Sequence, residues 1–120
     1  MLDLQATGDF FLNCLGWEEV SRDDSYPRQF ISDGTILLTL WQVDHELDVE
    51  AFDRRKNIGL HHLALTVPTE YALNGLATRL ADWNGVEIEF MPEPLRNGPA
   101  RHMMIYEPGG IRMEFIWPGK

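Results

Sequence analysis

The sequence contains an internal repeat, and this repeat restricts the fold more than any other feature. Apolar residues recur at three- and four-residue spacing before Gly16 and again before Gly85, which predicts an amphipathic helix in each place, over residues 3–15 and 70–83. At an offset of 69 residues, set by these two glycines, the buried stripes coincide, with Leu4 on Leu73. A chain that repeats a helix in this way is built from two similar modules.

The predicted strands repeat as well. They cover, in chain order, residues 17–20, 28–32, 35–43, 58–67, 86–91, 101–106 and 111–117, with a hairpin turn at 21–24 and a Pro- and Gly-rich loop at 92–99. The segment 35–43 is almost entirely apolar, as in a central strand. At an offset of 76 residues, Gly34–Trp41 matches Gly110–Trp117, so both modules end on the same pattern.

These elements predict an α+β fold made of paired βαβββ repeats, whose strands form a curved mixed sheet around a cavity. The strand that opens the second repeat, residues 58–67, has no counterpart before the first helix, so the first repeat lacks its opening strand. We expect one domain over residues 1–120, with repeat one at 1–43, a charged and partly helical connector at 44–57, and repeat two at 58–120.

Composition excludes several classes of function. The formal net charge of −9 opposes binding to nucleic acids and to anionic membranes, because both require Lys and Arg to neutralise phosphate. No stretch is apolar enough to span a bilayer, and the start of the chain does not resemble a signal peptide. Cys14 is the single cysteine, which rules out an intrachain disulfide and fits a cytoplasmic protein.

Two strands carry residues that suit a metal site. Alternation along 58–67 places His61 on the helix side and His62 on the opposite, open side. In the last strand, Glu114 points away from the apolar face. A histidine and a glutamate facing one sheet surface make half of a divalent metal site. The alternative is structural: His62 forms a local hydrogen bond, and Glu114 pairs with a base such as Arg112.

The chain resembles a known superfamily. The segments are FDRRKNIGLHHLALTV at 52–67 and YEPGGIRMEF at 106–115, together with FFLNCLGWEEV in the first helix. Their order and spacing are similar to those of the vicinal oxygen chelate superfamily, which contains glyoxalases, extradiol dioxygenases, and fosfomycin and bleomycin resistance proteins. The resemblance implies metal ligands on the first and last strand of each repeat. His62 and Glu114 match the second pair, whereas Leu38, aligned with Glu114, cannot bind metal.

The resemblance implies a glyoxalase-like small-molecule protein, a lyase, isomerase or dioxygenase in which a divalent ion (Zn, Ni, Mn or Fe) polarises vicinal substrate oxygens. Glu114 is the candidate catalytic residue and, with His62, a candidate metal ligand. We expect a homodimer in which a second copy supplies ligands, unless His102 or His45 replaces them. The alternative is a metal-free ligand-binding protein of the bleomycin-resistance kind, which the leucine at position 38 favours.

Overall fold

The computed structural model describes residues 1–120 and contains two compact units. The first comprises residues 1–57 and 108–110, and the second residues 58–107 and 111–120. The elements, in chain order, are α1 (Leu4–Asp9), a π-helical turn (Phe10–Cys14), β1 (Glu18–Asp23), β2 (Arg28–Ser32), β3 (Leu37–Trp41), β4 (Leu63–Thr66), α2 (Glu70–Asp82), β5 (Glu87–Pro94), β6 (Arg101–Tyr106) and β7 (Arg112–Trp117). The predicted α+β class, with open curved sheets and strands of mixed orientation, is confirmed.

The first unit packs its opening helix on a three-stranded antiparallel sheet of order β1-β2-β3. Asp3 caps α1, since its carboxylate accepts a 3.0 Å hydrogen bond from the Ala6 N–H. The predicted helix over 3–15 is confirmed, and its last turn widens to π geometry over residues 10–14. Phe10 and Phe11 are buried there, and Cys14 lies in the same core.

Two sequence predictions for this sheet are wrong. The turn predicted at 21–24 starts later, because Ser21 to Asp23 continue β1 and the Asp23 carboxylate then accepts hydrogen bonds from Ser25 N–H (3.0 Å) and Tyr26 N–H (3.3 Å). The apolar segment 35–43 forms β3, but β3 lies at an edge of the sheet and not at its centre. The connector at 44–57 contains turns and no helix.

The second unit packs α2 against a four-stranded sheet of order β4-β7-β6-β5, in which only β4 and β7 run parallel. Thr69 caps α2 by accepting a 2.9 Å hydrogen bond from the Ala72 N–H. The predicted buried stripe is confirmed at Leu73, Leu76 and Leu80. The strand expected over 58–67 is shorter in the structure, where β4 begins at Leu63 and ends at Thr66.

The remaining strands follow the predicted order with altered ends. β5 runs on to Pro94 through two register irregularities, so the loop expected at 92–99 begins later than predicted. Neither helix is long and apolar enough to cross a membrane.

The last strands of the two modules correspond in a different register from the predicted one. Two residues separate Gly34 from β3, whereas one residue separates Gly110 from β7. Alignment of the two glycines therefore pairs the two strands one position out of register. Leu38 is half-buried and shares the helix-facing side of β3 with the buried Leu40, while Glu114 lies on the opposite side of β7 from Met113. The counterpart of Glu114 is therefore Thr39, and the predicted alignment with Leu38 is wrong.

Candidate functional site

The structure brings the two predicted site residues together in the second unit. His62 lies immediately before β4, and Glu114 lies on β7, the strand that pairs with β4 in parallel. Nε2 of His62 is 3.4 Å from Oε1 of Glu114. Both side chains are accessible without being fully exposed, with exposed fractions of 28% and 14%. Both side chains are therefore partly accessible to solvent.

A second histidine holds the other oxygen of Glu114. His102 lies on β6, the neighbour of β7, and its Nδ1 is 2.5 Å from Oε2 of Glu114. The Phe90 ring packs edge-on against the His102 imidazole, with 4.9 Å between ring centroids. This contact across neighbouring strands holds the Glu114 carboxylate in one orientation. The sequence suggested His102 only as a replacement ligand.

His62 is held from its other side by three further residues. Nδ1 of His62 is 2.7 Å from Nδ1 of His61, which is itself 3.2 Å from the Arg112 guanidinium. The Arg112 guanidinium donates two hydrogen bonds, of 3.0 and 2.7 Å, to the Glu89 carboxylate. The same carboxylate raises the pKa of the Arg112 guanidinium above its ordinary value. The prediction that His61 belongs under the helix is wrong, because its exposed side chain contacts Arg112 instead.

These contacts favour one tautomer of His62. Arginine only donates, so the Nδ1 of His61 that faces Arg112 accepts. An accepting Nδ1 in His61 requires the facing Nδ1 of His62 to be the donor. In neutral His62 the proton therefore sits on Nδ1, and Nε2 presents its lone pair to Glu114.

In this tautomer, Nε2 of His62 and Oε1 of Glu114 are both acceptors, so a proton or a metal ion between them would stabilise the pair. Their 3.4 Å separation is longer than the 2.7–3.2 Å typical of N–H···O hydrogen bonds and within the distance of an ion pair. Two ligands with bonds of about 2.0–2.2 Å to one tetrahedral ion stand about 3.4 Å apart. The donor types and their separation are compatible with two ligands of one divalent ion.

The other candidate residues do not join this pair. His45 contacts the side chain of Gln42, and Arg101 forms an ion pair with Glu70 (3.3 Å) and not with Glu114. Cys14 is buried. No group of three or more His, Cys, Asp or Glu side chains has an arrangement that could hold a metal ion. The chain's own contribution is therefore centred on His62 and Glu114.

Comparison with models of protein families shows the superfamily of the chain. The model of the Glyoxalase/Bleomycin resistance protein/Dioxygenase superfamily matches residues 2–115. The chain belongs to this superfamily. Proteins of the superfamily bind small-molecule substrates and commonly use divalent metals. A search of curated protein sequences finds no match.

Solved structures of this superfamily have the same fold. A glyoxylase/bleomycin resistance protein/dioxygenase domain from Frankia sp. EAN1pec superimposes with a TM-score of 0.81 at 22% identity, covering 100% of this chain and 86% of that one. The fosfomycin resistance protein FosX from Listeria monocytogenes superimposes with a TM-score of 0.75 at 18% identity, covering 100% of this chain and 85% of that one. Lactoylglutathione lyase from Agrobacterium tumefaciens superimposes with a TM-score of 0.72 at 19% identity, covering 98% of this chain and 87% of that one. At these identities the likeness shows the superfamily fold alone.

Proposed function

We propose that this superfamily member binds a divalent metal ion through Nε2 of His62 and Oε1 of Glu114 and acts on a small organic molecule. The observation that carries the proposal is the 3.4 Å separation of these two atoms, one of which has its lone pair directed at the other by a chain of hydrogen bonds. When bound, the ion would act as a Lewis acid that polarises vicinal oxygens of the substrate.

Neighbouring side chains orient His62 and Glu114 for metal binding. His61 and Arg112 keep the proton of His62 on Nδ1, so that Nε2 stays available as a ligand. His102 fixes the orientation of the Glu114 carboxylate through its contact with Oε2. Glu114, oriented in this way beside the proposed metal position, is the candidate catalytic residue.

Further ligands have to come from outside the pair. The repeat position that corresponds to Glu114 carries Thr39, whose neutral hydroxyl is a far weaker metal ligand than a carboxylate. Water, substrate oxygens or a second copy of the chain would complete the coordination. Superfamily proteins often form dimers, and assembly as a homodimer is part of the proposal.

Metal binding tests the proposal directly. The purified chain is loaded in turn with Zn²⁺, Ni²⁺, Mn²⁺ and Fe²⁺, and stoichiometry is measured by elemental analysis and affinity by calorimetry. We expect about one ion per chain, and a loss of affinity in His62→Ala and Glu114→Gln greater than the roughly 10–100-fold typical of residues that only orient a ligand. Thr78→Ala, on the exposed face of α2, is the matched control. Absence of binding, or equal binding in all variants, would overturn the proposal.

The metal-free alternative is a binding protein of the bleomycin-resistance kind. It is favoured by the absence of a third assembled ligand and by the net charge of −9, which suits a cationic aromatic compound. A rise in melting temperature with bleomycin in buffer that contains a chelator would support this function. A rise with a divalent metal in the absence of bleomycin would support the metal site of the leading proposal.

A further inference from the structure

The four strands of the second unit place a row of side chains across the sheet at Glu114. Ala64 on β4 and Met104 on β6 are the direct neighbours of Glu114, and Phe90 on β5 is the neighbour of Met104. Side chains of directly paired residues lie on the same side of a sheet. The row therefore lies on the side that carries Glu114, which we call the open side. Met113, the residue before Glu114, points the other way and is fully buried.

The two directions along this row differ in chemistry. Towards β4, Ala64 is small and exposed, and His62 lies just before that strand. Towards β5, Met104 is only 5% exposed and Phe90 is half-buried. An apolar surface thus begins directly beside the Glu114 carboxylate and continues across two strands, on the side away from His62.

The positive charges of these strands are already paired. Arg101 and Arg112 are the two Lys or Arg residues that the four strands contain. Arg101 is 3.3 Å from Glu70 of α2, which places it on the helix side of the sheet. Arg112 lies on the open side, but its side chain is only 11% exposed and donates two hydrogen bonds to Glu89. Neither guanidinium is therefore positioned to bind a substrate anion.

Carboxylates surround the same surface. Glu87 and Glu93 on β5 are each paired with a β6 residue of the open side, and both are exposed. Together with Glu89 and Glu114 they make the surroundings of the row negative. A carboxylate, phosphate or phosphonate that extends from the metal along this row would meet like charges.

We infer that the substrate of the His62–Glu114 site is an uncharged molecule with an apolar substituent, such as an aryl group, that lies along Met104 and Phe90. The inference rests on the proposed function, because the pair has to hold the metal that binds the oxygen-bearing end of the substrate. An apolar substituent gains free energy by leaving water on this row, whereas a charged one loses hydration without gaining a counter-charge. Phe90 is then the residue that selects the substituent.

Hydroxamic acids test the inference, because they bind a metal through oxygens on adjacent atoms and can carry different substituents. Zinc affinity of the chain is measured first, and the Zn²⁺-loaded chain is then titrated by calorimetry with acetohydroxamic and benzohydroxamic acids. We expect benzohydroxamic acid to bind about tenfold more tightly. Both acids bind zinc in the same way, so the ratio of their affinities does not depend on how tightly a variant holds zinc.

Substitutions at Phe90 show where the preference arises. Phe90→Ala should bring the two affinities to within about threefold of each other, and Phe90→Leu should keep most of the difference. Tyr71→Ala is the matched control, since Tyr71 is 89% exposed on α2. In NMR spectra of methyl-labelled methionine, benzohydroxamic acid should shift the signal of Met104 and leave that of the fully buried Met113 in place.

Two para-substituted probes test the charge. The para-carbamoyl and para-carboxyl derivatives of benzohydroxamic acid have nearly the same shape, and only the second carries a negative charge on the ring substituent. We expect the para-carboxyl probe to bind about tenfold more weakly than the para-carbamoyl probe, because it brings a like charge among the carboxylates of β5.

The outcomes separate the inference from the proposed function. If zinc binds, three results would overturn the inference and leave the metal site in place: equal affinity for acetohydroxamic and benzohydroxamic acids, a preference that is unchanged in Phe90→Ala, or equal binding of the two para-substituted probes. Failure of zinc to bind would overturn the proposed function and the inference with it.

Discussion

Nδ1 of His102 lies 2.5 Å from Oε2 of Glu114, across the neighbouring strands β6 and β7. This contact leaves Oε1 of Glu114 to face His62. We expect His102→Gln to weaken divalent metal binding by about 10–100-fold, because the carboxylate loses the partner that orients it. Calorimetric titration measures the effect, and His45→Gln, outside the site, should bind as the parent does. Unchanged affinity in His102→Gln would show that Glu114 needs no such support.

The hydrogen bonds from Arg112 to His61 and on to His62 predict a tautomer. In the parent chain at neutral pH, long-range ¹H–¹⁵N NMR should show the His62 proton on Nδ1. Arg112→Gln should bring in the Nε2–H form and lower metal affinity about tenfold. Arg79→Gln, on the exposed face of α2, is the matched control. A parent spectrum dominated by Nε2–H would contradict the assignment even if a metal binds.

Alanine substitutions at two helical glycines should change the free energy of unfolding in opposite directions. A methyl group on Gly8 would lie 2.3 Å from Oε1 of Gln29, which is fully buried and bound to Glu19. Gly8→Ala should therefore lower the free energy of unfolding by about 1–3 kcal/mol. Nothing lies within 4 Å of the same position on Gly75, so Gly75→Ala should raise it by about 0.5–1 kcal/mol. Urea unfolding compares the two, and similar effects would show that the core around Gln29 is looser than described.

The turn before β3 predicts an acid-sensitive contribution to stability. Backbone N–H groups of Ile36 and Thr35 lower the pKa of the Asp33 carboxyl below its usual value of 3.8. The stabilisation is complete above that pH and is lost as pH falls through the lower folded-state pKa. Asp33→Asn keeps an acceptor but does not titrate, so its urea midpoint should fall less between pH 5 and pH 2.5 than that of the parent. An identical fall would exclude Asp33 from the acid response.

Local signals in the sequence were sufficient for most of the fold. The apolar stripes before Gly16 and around Leu73 are encoded within a few residues, so the sequence predicts α1 and α2 closely. Strand order in each sheet was not encoded locally. Whether β3 lies at the centre or the edge of its sheet depends on a partner strand far away in sequence, and its apolar composition predicted a central strand wrongly.

The candidate site was predictable only in part. Strand alternation suggested that His62 and Glu114 face the same surface, and the structure places them 3.4 Å apart. Their supporting contacts were not predictable, because His102, Arg112 and Glu89 come from three different strands whose register the sequence does not specify. Alignment of Gly34 with Gly110 misplaced the counterpart of Glu114 at Leu38, because two residues separate Gly34 from β3 and only one separates Gly110 from β7.

The measurement that tests the central claim most directly is ¹H NMR of the chain loaded with Co²⁺, a paramagnetic probe of the metal site. A histidine bound through Nε2 retains its Nδ1–H, which gives an exchangeable, strongly shifted signal. We predict one such signal in the parent chain, from His62, and its loss in His62→Ala while Co²⁺-free spectra show the fold retained. Absence of the signal at saturating Co²⁺, or its persistence in His62→Ala, would contradict a metal site built on His62 and Glu114.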